Sequence, residues 1–196
     1  EEQVAIRCKT GLPVPNVILE VVDPDGNPQP HDGQTAGEVV VRTPWLTQGY
    51  LKDPERGEEL WAGGWLHTGD IGTIDNDGYL QITDRLKDVI KTGGEWVSSL
   101  ELEDIISQHP AVSEVAVIGV ADAKWGERPL ALVVANPDSP GGPAADAEAI
   151  KAHVMGFADK GVIPKYGVPE RIEIVPAIAK TSVGKINKKQ LRQDFK

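Results

Sequence analysis

Residues 63–103 hold the densest group of side chains that could do chemistry. Asp70 ends the string His-Thr-Gly-Asp and follows a flexible glycine. Its carboxylate could accept two hydrogen bonds from the neighbouring hydroxyls of a ribose, and hydrogen bonds to a charged acceptor are stronger than neutral ones. The alternative is a turn aspartate that bonds its own backbone, and local spacing alone favours that alternative.

Three other groups in the chain are also compatible with ligand binding. The string Asp-Arg-Leu-Lys-Asp at 84–88 is either part of a site or a solvated connector with weak ion pairs. Gly93 and Gly94 could bring the backbone close to a ligand or simply form a turn. Lys185, in a glycine-containing loop, could neutralise a phosphate or a carboxylate, although most surface lysines do not.

Short strands separated by turns are predicted for residues 14–83. Asp-Pro-Asp-Gly at 23–26 and Asp-Asn-Asp-Gly at 75–78 are typical turn sequences, because proline fixes one turn position and glycine accepts a positive φ. The predicted strands cover residues 17–22, 38–42, 71–74 and 79–83. So many short strands indicate a small sheet or a β-barrel-like subdomain.

After residue 84 the pattern changes to mixed helices and strands. Ser-Ser-Leu-Glu at 98–101 fits a capping box, and Leu102, Ile105 and Ile106 form an apolar helix face that His-Pro at 109–110 ends. The remaining predicted segments are strands at 115–120, 130–134 and 171–175, a loop at 136–145, and helices at 146–160 and 187–195. The fold class expected for the chain is therefore α+β.

Composition excludes several classes of function. A net charge of -10 argues against a nucleic-acid-binding surface. Cys8 is the only cysteine, so no internal disulfide and no cysteine-based zinc site is expected. No apolar run reaches the roughly 20 residues of a membrane helix, which predicts a soluble, cytoplasmic chain without a transmembrane segment. The start without methionine suggests a fragment of a longer protein.

Three strings in order carry a family resemblance. GGWLHTGD, GYLQITDRLKDVIKTGGEWVSSLELE and IAKTSVGKINKKQLR resemble successive signature blocks of the acyl-adenylate-forming superfamily. IKTGGEWVSSLELE, AVIGVADAKWGERPLALVV and KTSVGK further resemble its medium- to long-chain fatty acyl-CoA synthetase branch, with KWGERPLA as the discriminating part. The resemblance covers essentially the whole chain.

The resemblance implies roles for six residues. Asp70 matches an aspartate that holds the ribose hydroxyls of adenosine, and Arg85 matches an arginine that also contacts the ribose. Lys185 matches the lysine that reaches the reacting carboxylate and the α-phosphate. Lys87 matches the hinge about which a small domain rotates, and Gly93 with Gly94 matches a loop beside the channel for the thiol of coenzyme A.

The resemblance also implies domains and cofactors. Residues 1–83 would be the last β-rich subdomain of a large N-terminal domain, 84–87 the hinge linker and 88–196 a mobile α+β C-terminal domain. ATP, Mg²⁺ and coenzyme A would serve the intact enzyme in converting a fatty acid to acyl-CoA, AMP and pyrophosphate. The phosphate-binding loop, the magnesium site and the fatty-acid tunnel would lie in the large domain, so the fragment alone is expected to be inactive.

Alternatives remain open at this level. Relatives of the same fold pass the acyl-adenylate to a carrier protein or to oxygen instead of coenzyme A. The chain could also be a non-catalytic binding module, although intact Asp70, Arg85 and Lys185 argue against decayed catalysis. The principal partner would be the large domain of the same polypeptide, and the faces meant for it could instead support a homodimer.

Overall fold

A computed structural model describes residues 2–137, 139 and 146–195. The chain divides into two compact units, Glu1–Lys87 and Asp88–Lys196. Part of the predicted loop at 136–145, namely residue 138 and residues 140–145, lies outside the described residues. None of the helices in the described part of the chain has the length and hydropathy to cross a membrane.

The first unit is built on an antiparallel four-stranded sheet in the order β1-β2-β3-β4. Its strands are β1 (Ile18–Val22), β2 (Gly37–Arg42), β3 (Leu66–Ile74) and β4 (Leu80–Arg85), and its helices are α1 (Glu2–Cys8) and α2 (Pro54–Leu60). The core consists of Val21, Val39, Ile74 and Leu80. The sequence is compatible with a small sheet or a β-barrel-like subdomain. The structure shows an open sheet whose edge strands are β1 and β4.

Aspartates fold the two turns of this sheet. Asp23 accepts hydrogen bonds from the backbone N–H groups of Asp25 and Asn27, both at 2.9 Å. Asp75 does the same for Asp77 and Tyr79, again at 2.9 Å. Each carboxylate therefore accepts backbone N–H groups for which the tight turn provides no carbonyl acceptor.

The second unit is an α+β layer structure around a five-stranded sheet. Its strands are β5 (Ile90–Thr92), β6 (Glu95–Val97), β7 (Val112–Asp122), β8 (Gly126–Ala135) and β9 (Arg171–Ile174). Its helices are α3 (Ser99–Ser107), α4 (Ala147–Asp159) and α5 (Lys188–Asp194). The order is β6-β5-β8-β7, and β9 pairs in parallel with β8.

The long hairpin of β7 and β8 carries a hydrophobic cluster on each face. Val115 and Val117 of β7 pack with residues of α3 and α4, whereas Ala116 and Ile118 pack with Leu191 of α5. Alternate residues of a strand point to opposite faces of the sheet. Helices α3 and α4 therefore cover one face, and α5 covers the other.

The α+β fold class is confirmed, most predicted elements are present, and β3, β7 and β8 are longer than predicted. Ser98 caps α3 by accepting the N–H of Glu101 at 3.1 Å, as the capping box predicts. Three elements were not predicted: α1, α2 and the short hairpin of β5 and β6. The strands of that hairpin are too short for an alternating pattern, and β5 is held by pairing with β8, which is distant in sequence.

Candidate functional site

Asp70 and Arg85 are partners across β3 and β4. Arg85 Nε lies 3.0 Å from Asp70 Oδ1. The arginine side chain is 61% exposed and the aspartate side chain 23%. The two residues singled out for ribose binding are thus side by side, with the carboxylate sheltered and the guanidinium open to solvent.

The strand changes register just before Asp70. Glu38 pairs with Ile71, but Val40 pairs with His67, so the intervening stretch of β3 is longer than that of β2. Gly69 lies in this bulge with φ +69° and accepts a hydrogen bond from the N–H of Leu86 at 2.9 Å. A side chain is disfavoured at this φ, which explains the glycine that precedes Asp70.

Two residues that sequence reasoning did not assign support this bulge. Glu38 Oε1 accepts the N–H of Gly69 at 3.1 Å, and Glu38 Oε2 lies 2.9 Å from His67 Nδ1. The other ring nitrogen, His67 Nε2, lies 3.2 Å from the carbonyl oxygen of Ala62. The only local signal was the position of His67 within the Asp70 motif, because Glu38 is 29 residues away from it.

A cleft of about 690 Å³ opens beside this loop in the first unit. Its charged lining residues are Glu38, Arg56, Glu59, His67, Arg85 and Lys87. Cationic groups near a carboxylate that could accept ribose hydroxyls are suited to a nucleotide, because they can meet its phosphates. Lys87, the hinge candidate, is exposed and is the last residue of the first unit.

Lys185 ends a small loop in the second unit. The N–H of Thr181 donates to the carbonyl of Lys185 at 2.7 Å, and the N–H of Lys185 donates to Thr181 Oγ1 at 3.2 Å. Gly184 takes φ +80° and closes the turn. The Lys185 side chain is exposed and forms no ion pair with a described carboxylate, so its ammonium is open to an incoming anion.

Gly93 and Gly94 form the two-residue turn between β5 and β6, with φ values of +63° and +91°. Such a pair of positive φ values is the usual geometry of a tight hairpin. The N–H of Gly93 donates to the carbonyl of Trp125 at 2.7 Å. A methyl group at Gly93 would lie 2.9 Å from Trp125 Cε3, whereas one at Gly94 would meet no protein atom within 4 Å.

The Lys185 loop and the glycine turn are not brought together. Lys180, at the base of the loop, pairs with Glu114 near the start of β7 at 2.7 Å. Thr92 pairs with Gly126, which in turn pairs with Asp122 at the end of β7. At about 3.3 Å per residue, the stretch from Glu114 to Asp122 is roughly 26 Å long. The two features therefore lie toward opposite ends of one hairpin.

The described part of the chain contains no group of three or more His, Cys, Asp or Glu side chains that could hold a metal ion. Asp70 pairs with Arg85, and Glu38 contacts His67 and accepts the N–H of Gly69. The described donor set therefore does not fit a resident divalent cation.

Two family models match the chain. The model of the AMP-binding enzyme matches residues 2–51, and that of the AMP-binding enzyme C-terminal domain matches residues 101–185. Between them lies the stretch with Asp70, Arg85 and the glycine turn.

Curated relatives align over the whole chain. A 3-methylmercaptopropionyl-CoA ligase of Ruegeria lacuscaerulensis is 44% identical over 100% of this chain and 34% of its own length. A long-chain-fatty-acid–CoA ligase of Thermus thermophilus is 42% identical over 100% of the chain and 35% of its length. The chain thus spans about a third of the length of the curated relatives it matches.

Among solved structures, the amide bond synthetase McbA of Marinactinospora thermotolerans superposes with a TM-score of 0.80. It is 38% identical, and the match covers 98% of this chain and 37% of that protein. ATP-bound MatB of Rhodopseudomonas palustris gives 0.79 at 31% identity, over 95% of this chain and 35% of that protein.

Proposed function

Because the chain belongs to the AMP-binding, adenylate-forming enzyme family, we propose that it is the C-terminal portion of an ATP-dependent fatty acyl-CoA synthetase. The intact enzyme would convert a fatty acid, ATP and coenzyme A to acyl-CoA, AMP and pyrophosphate through an acyl-adenylate. The observation that carries this proposal is the Asp70–Arg85 pair beside a cleft lined by Arg56, Arg85 and Lys87, together with similarity over the whole of this chain to about a third of a fatty-acid–CoA ligase.

The domain assignment follows the division of the chain. Residues 1–83 would end the large domain, 84–87 would be the hinge linker and 88–196 the small domain. The compact units separate after Lys87, which agrees with a hinge at that residue. The main partner would be the rest of the large domain in the same polypeptide. A homodimer through the same faces is the alternative that light scattering would detect.

Asp70 and Arg85 would bind the nucleotide. The Asp70 carboxylate, once turned to the ligand, accepts hydrogen bonds from the ribose hydroxyls, while the exposed Arg85 guanidinium donates to ribose or phosphate oxygens. Their mutual ion pair keeps both side chains oriented before the ligand arrives. Arg56 and Lys87 in the same cleft add positive charge where a triphosphate would extend.

Lys185 would act in the first half-reaction. The fatty carboxylate attacks the α-phosphate, and negative charge builds up on the phosphorus oxygens. An ammonium held next to that charge in a site shielded from water contributes several kcal/mol. The exposed Lys185 side chain, on a loop fixed by Thr181, is suited to enter such a site.

Gly93 and Gly94 would act in the second half-reaction, in which the thiol of coenzyme A attacks the acyl-adenylate and AMP leaves. A rotation about Lys87 would replace the Lys185 end of the small domain by its glycine end. The separation of roughly 26 Å along β7 supports such an exchange. The magnesium of the intact enzyme would bind in the phosphate-binding part of the large domain, as the family resemblance implies.

The acyl group and the final acceptor are the finer parts of the proposal. A fatty acid is favoured by the KWGERPLA string and by the long-chain relative, whereas another relative is named as a 3-methylmercaptopropionyl-CoA ligase. Transfer of the acyl group to an amine is the second candidate, because McbA is an amide bond synthetase. The cytoplasm is the proposed location.

The test uses the full-length protein with Lys185→Ala and, as matched control, Lys189→Ala, another exposed lysine just beyond the loop. Fatty-acid-dependent exchange of pyrophosphate into ATP should be lost in Lys185→Ala and unchanged in Lys189→Ala. Thioester formation from supplied acyl-adenylate should be largely spared. Equal loss of both half-reactions would refute the role of Lys185, and absence of exchange in the native protein with every fatty acid would refute the function.

The isolated 196-residue chain provides a second test. It should show no synthetase activity, because the phosphate-binding part of the family site is not in this sequence. Calorimetry with AMP and with coenzyme A separates the binding-module alternative, since an autonomous module should bind one of them tightly without the remainder of the protein.

A further inference from the structure

Glu38 uses both carboxylate oxygens to hold the segment that precedes Asp70. Oε1 accepts the N–H of Gly69 at 3.1 Å, and Oε2 lies 2.9 Å from His67 Nδ1. The Glu38 side chain is only 14% exposed, so few water molecules compete for it. A partly buried carboxylate with two such partners is costly to remove, because each partner loses a charged hydrogen bond.

The position of Glu38 follows from the bulge in β3. The carboxylate of Glu38 pairs the N–H of Gly69 where the register between β2 and β3 is interrupted. Thr68 adds two similar bonds: its Oγ1 donates to the carbonyl of Val39 at 2.7 Å and accepts the N–H of Asp70 at 3.1 Å. Side chains of two strands thus hold the bulge that points Asp70 toward Arg85.

We call the contacts by which Glu38, Thr68 and His67 hold the bulge the clamp. His67 extends this clamp to the preceding turn. Its Nδ1 faces Glu38, and its Nε2 faces the carbonyl of Ala62 at 3.2 Å. Both partners are acceptors, and a neutral imidazole can donate to one of them only. The ring is 26% exposed and shares its cleft with Arg56, Glu59, Arg85 and Lys87.

We propose that Glu38 and His67 are positioning residues for nucleotide binding: they hold the Gly69 bulge so that Asp70 meets the ribose. This inference rests on the proposed role of Asp70 as the ribose-binding carboxylate. Neither side chain needs to touch the ligand. Their removal should therefore weaken the use of ATP while leaving the acyl and thiol substrates unaffected.

Kinetics of the full-length protein test the proposal. Glu38→Ala should raise the KM for ATP about 10- to 100-fold, as expected for lost charged hydrogen bonds, with a smaller change in kcat and none in the KM for the fatty acid. Glu38→Gln should recover most of the affinity, because the amide can still accept from Gly69 and can donate to a neutral His67 ring. Proportional loss for both substrates, or no recovery with glutamine, would overturn it.

Glu20→Ala is the matched control. Glu20, in β1 of the same sheet, also pairs with a histidine, His31 of the following loop, at 3.1 Å, but no hydrogen bond or ion pair of Glu20 reaches the bulge. The Glu20→Ala protein should have the same KM for ATP as the native protein. His67→Ala, which keeps the Glu38–Gly69 bond, is the second variant in case Glu38→Ala does not fold, and it should raise the KM for ATP less than Glu38→Ala is expected to. An unchanged KM in His67→Ala would remove His67 from the proposal.

Hydrogen exchange of the 196-residue chain separates this inference from the proposed function. The Gly69 amide should exchange faster in Glu38→Ala than in the native chain, and Glu38→Gln and Glu20→Ala should retain the native rate. If the full-length protein shows no adenylation but the amide responds in this way, the proposed function fails and the clamp stands. An amide rate that is the same in Glu38→Ala disproves the clamp itself.

Discussion

Lys188 and Glu103 form an ion pair of 2.7 Å in which the side chains are only 11% and 14% exposed. Glu103 Oε1 also accepts the N–H of Val117 at 2.8 Å, and Lys188 Nζ donates to Ser99 Oγ at 2.7 Å. The pair therefore joins the start of α5 to both α3 and β7. Because Lys188 is the first residue of α5 and lies three residues after Lys185, this pair also anchors the C-terminal end of the lysine loop.

Loss of one member of this pair should destabilise the second unit strongly. Glu103→Ala leaves a largely buried ammonium without its carboxylate, and breaking buried pairs in this way costs about 3 kcal/mol. Urea unfolding of the 196-residue chain measures the change.

Lys180 and Glu114 provide the control, since they are also 2.7 Å apart but 44% and 41% exposed. Glu114→Ala should cost less than about 1 kcal/mol. Equal losses for the two variants would show that burial does not set the strength of the Lys188 pair.

The two glycines of the hairpin turn should respond differently to alanine. At Gly93 the new methyl group meets the Trp125 ring at 2.9 Å in addition to the unfavourable φ, whereas Gly94 has only the φ penalty. Gly94→Ala should cost about 1 kcal/mol of stability and Gly93→Ala clearly more. Gly161→Ala is the control, because Gly161 has φ +75° and open space around it.

Kinetics adds a second readout for the same variants. If Gly94 borders the channel for coenzyme A, Gly94→Ala should slow thioester formation while adenylation proceeds at the native rate. Similar slowing of both steps would place Gly94 outside the channel.

Asp70 and Arg85 should contribute to nucleotide affinity and little to stability. Arg85→Ala removes an ion pair whose arginine is mostly exposed, so unfolding should change by less than about 1 kcal/mol. Asp70→Asn should raise the KM for ATP at least 10-fold, because a neutral amide is a weaker acceptor for the ribose hydroxyls. Arg171→Ala, which breaks a comparably exposed pair with Glu173, is the control and should keep the native KM.

His109 should make stability depend on pH. Burial lowers the pKa of His109 below its usual value of 6.5, and the nearby His153 ring, 5.3 Å away, lowers it further. The unfolded chain then binds the proton more readily than the folded chain. The stabilisation is complete above pH 6.5 and is lost as the pH falls through the lower folded value.

The measurement is urea unfolding between pH 7.5 and pH 5.5, with His109→Gln for comparison. The native chain should lose more stability over this interval than the variant, since glutamine does not titrate. At pH 7.5 the histidine of the native chain and the glutamine of the variant are both neutral at position 109, so this pH serves as the reference. If the stabilities of the native chain and of His109→Gln fell in parallel with pH, His109 would not be the source of the pH dependence.

Local signals allowed the turns, the Ser98 helix cap and the central parts of the long strands to be predicted. The aspartate turns at 23–26 and 75–78 and the Ser98 cap depend on bonds between residues a few positions apart. Helix α2 was missed although its signals are local: Asp53 caps it by accepting from Arg56, and proline occupies its first turn.

The support of the site could not be predicted in the same way. Asp70, Arg85 and Lys185 stood out through a family resemblance, but the contacts of Glu38 with His67 and Gly69 bridge 29 and 31 residues. They depend on the register shift between β2 and β3, which no local pattern reports. The pairing of Lys188 with Glu103 could not be predicted either, because the two residues are far apart in sequence.

The placement of the Lys185 loop and the glycine turn toward opposite ends of the β7–β8 hairpin has an evolutionary consequence. The residues that flank the two turns pack into different clusters, Ile90 and Val97 of the β5–β6 hairpin into one and Ile178 and Ile186 beside the lysine loop into the other, so substitutions at one end need not disturb the packing of the other. If the two ends act in the two half-reactions as proposed, activation of the acid and choice of the acceptor can diverge independently. A descendant that hands its acyl group to a new nucleophile needs to remodel only the glycine end and can inherit the lysine end unchanged.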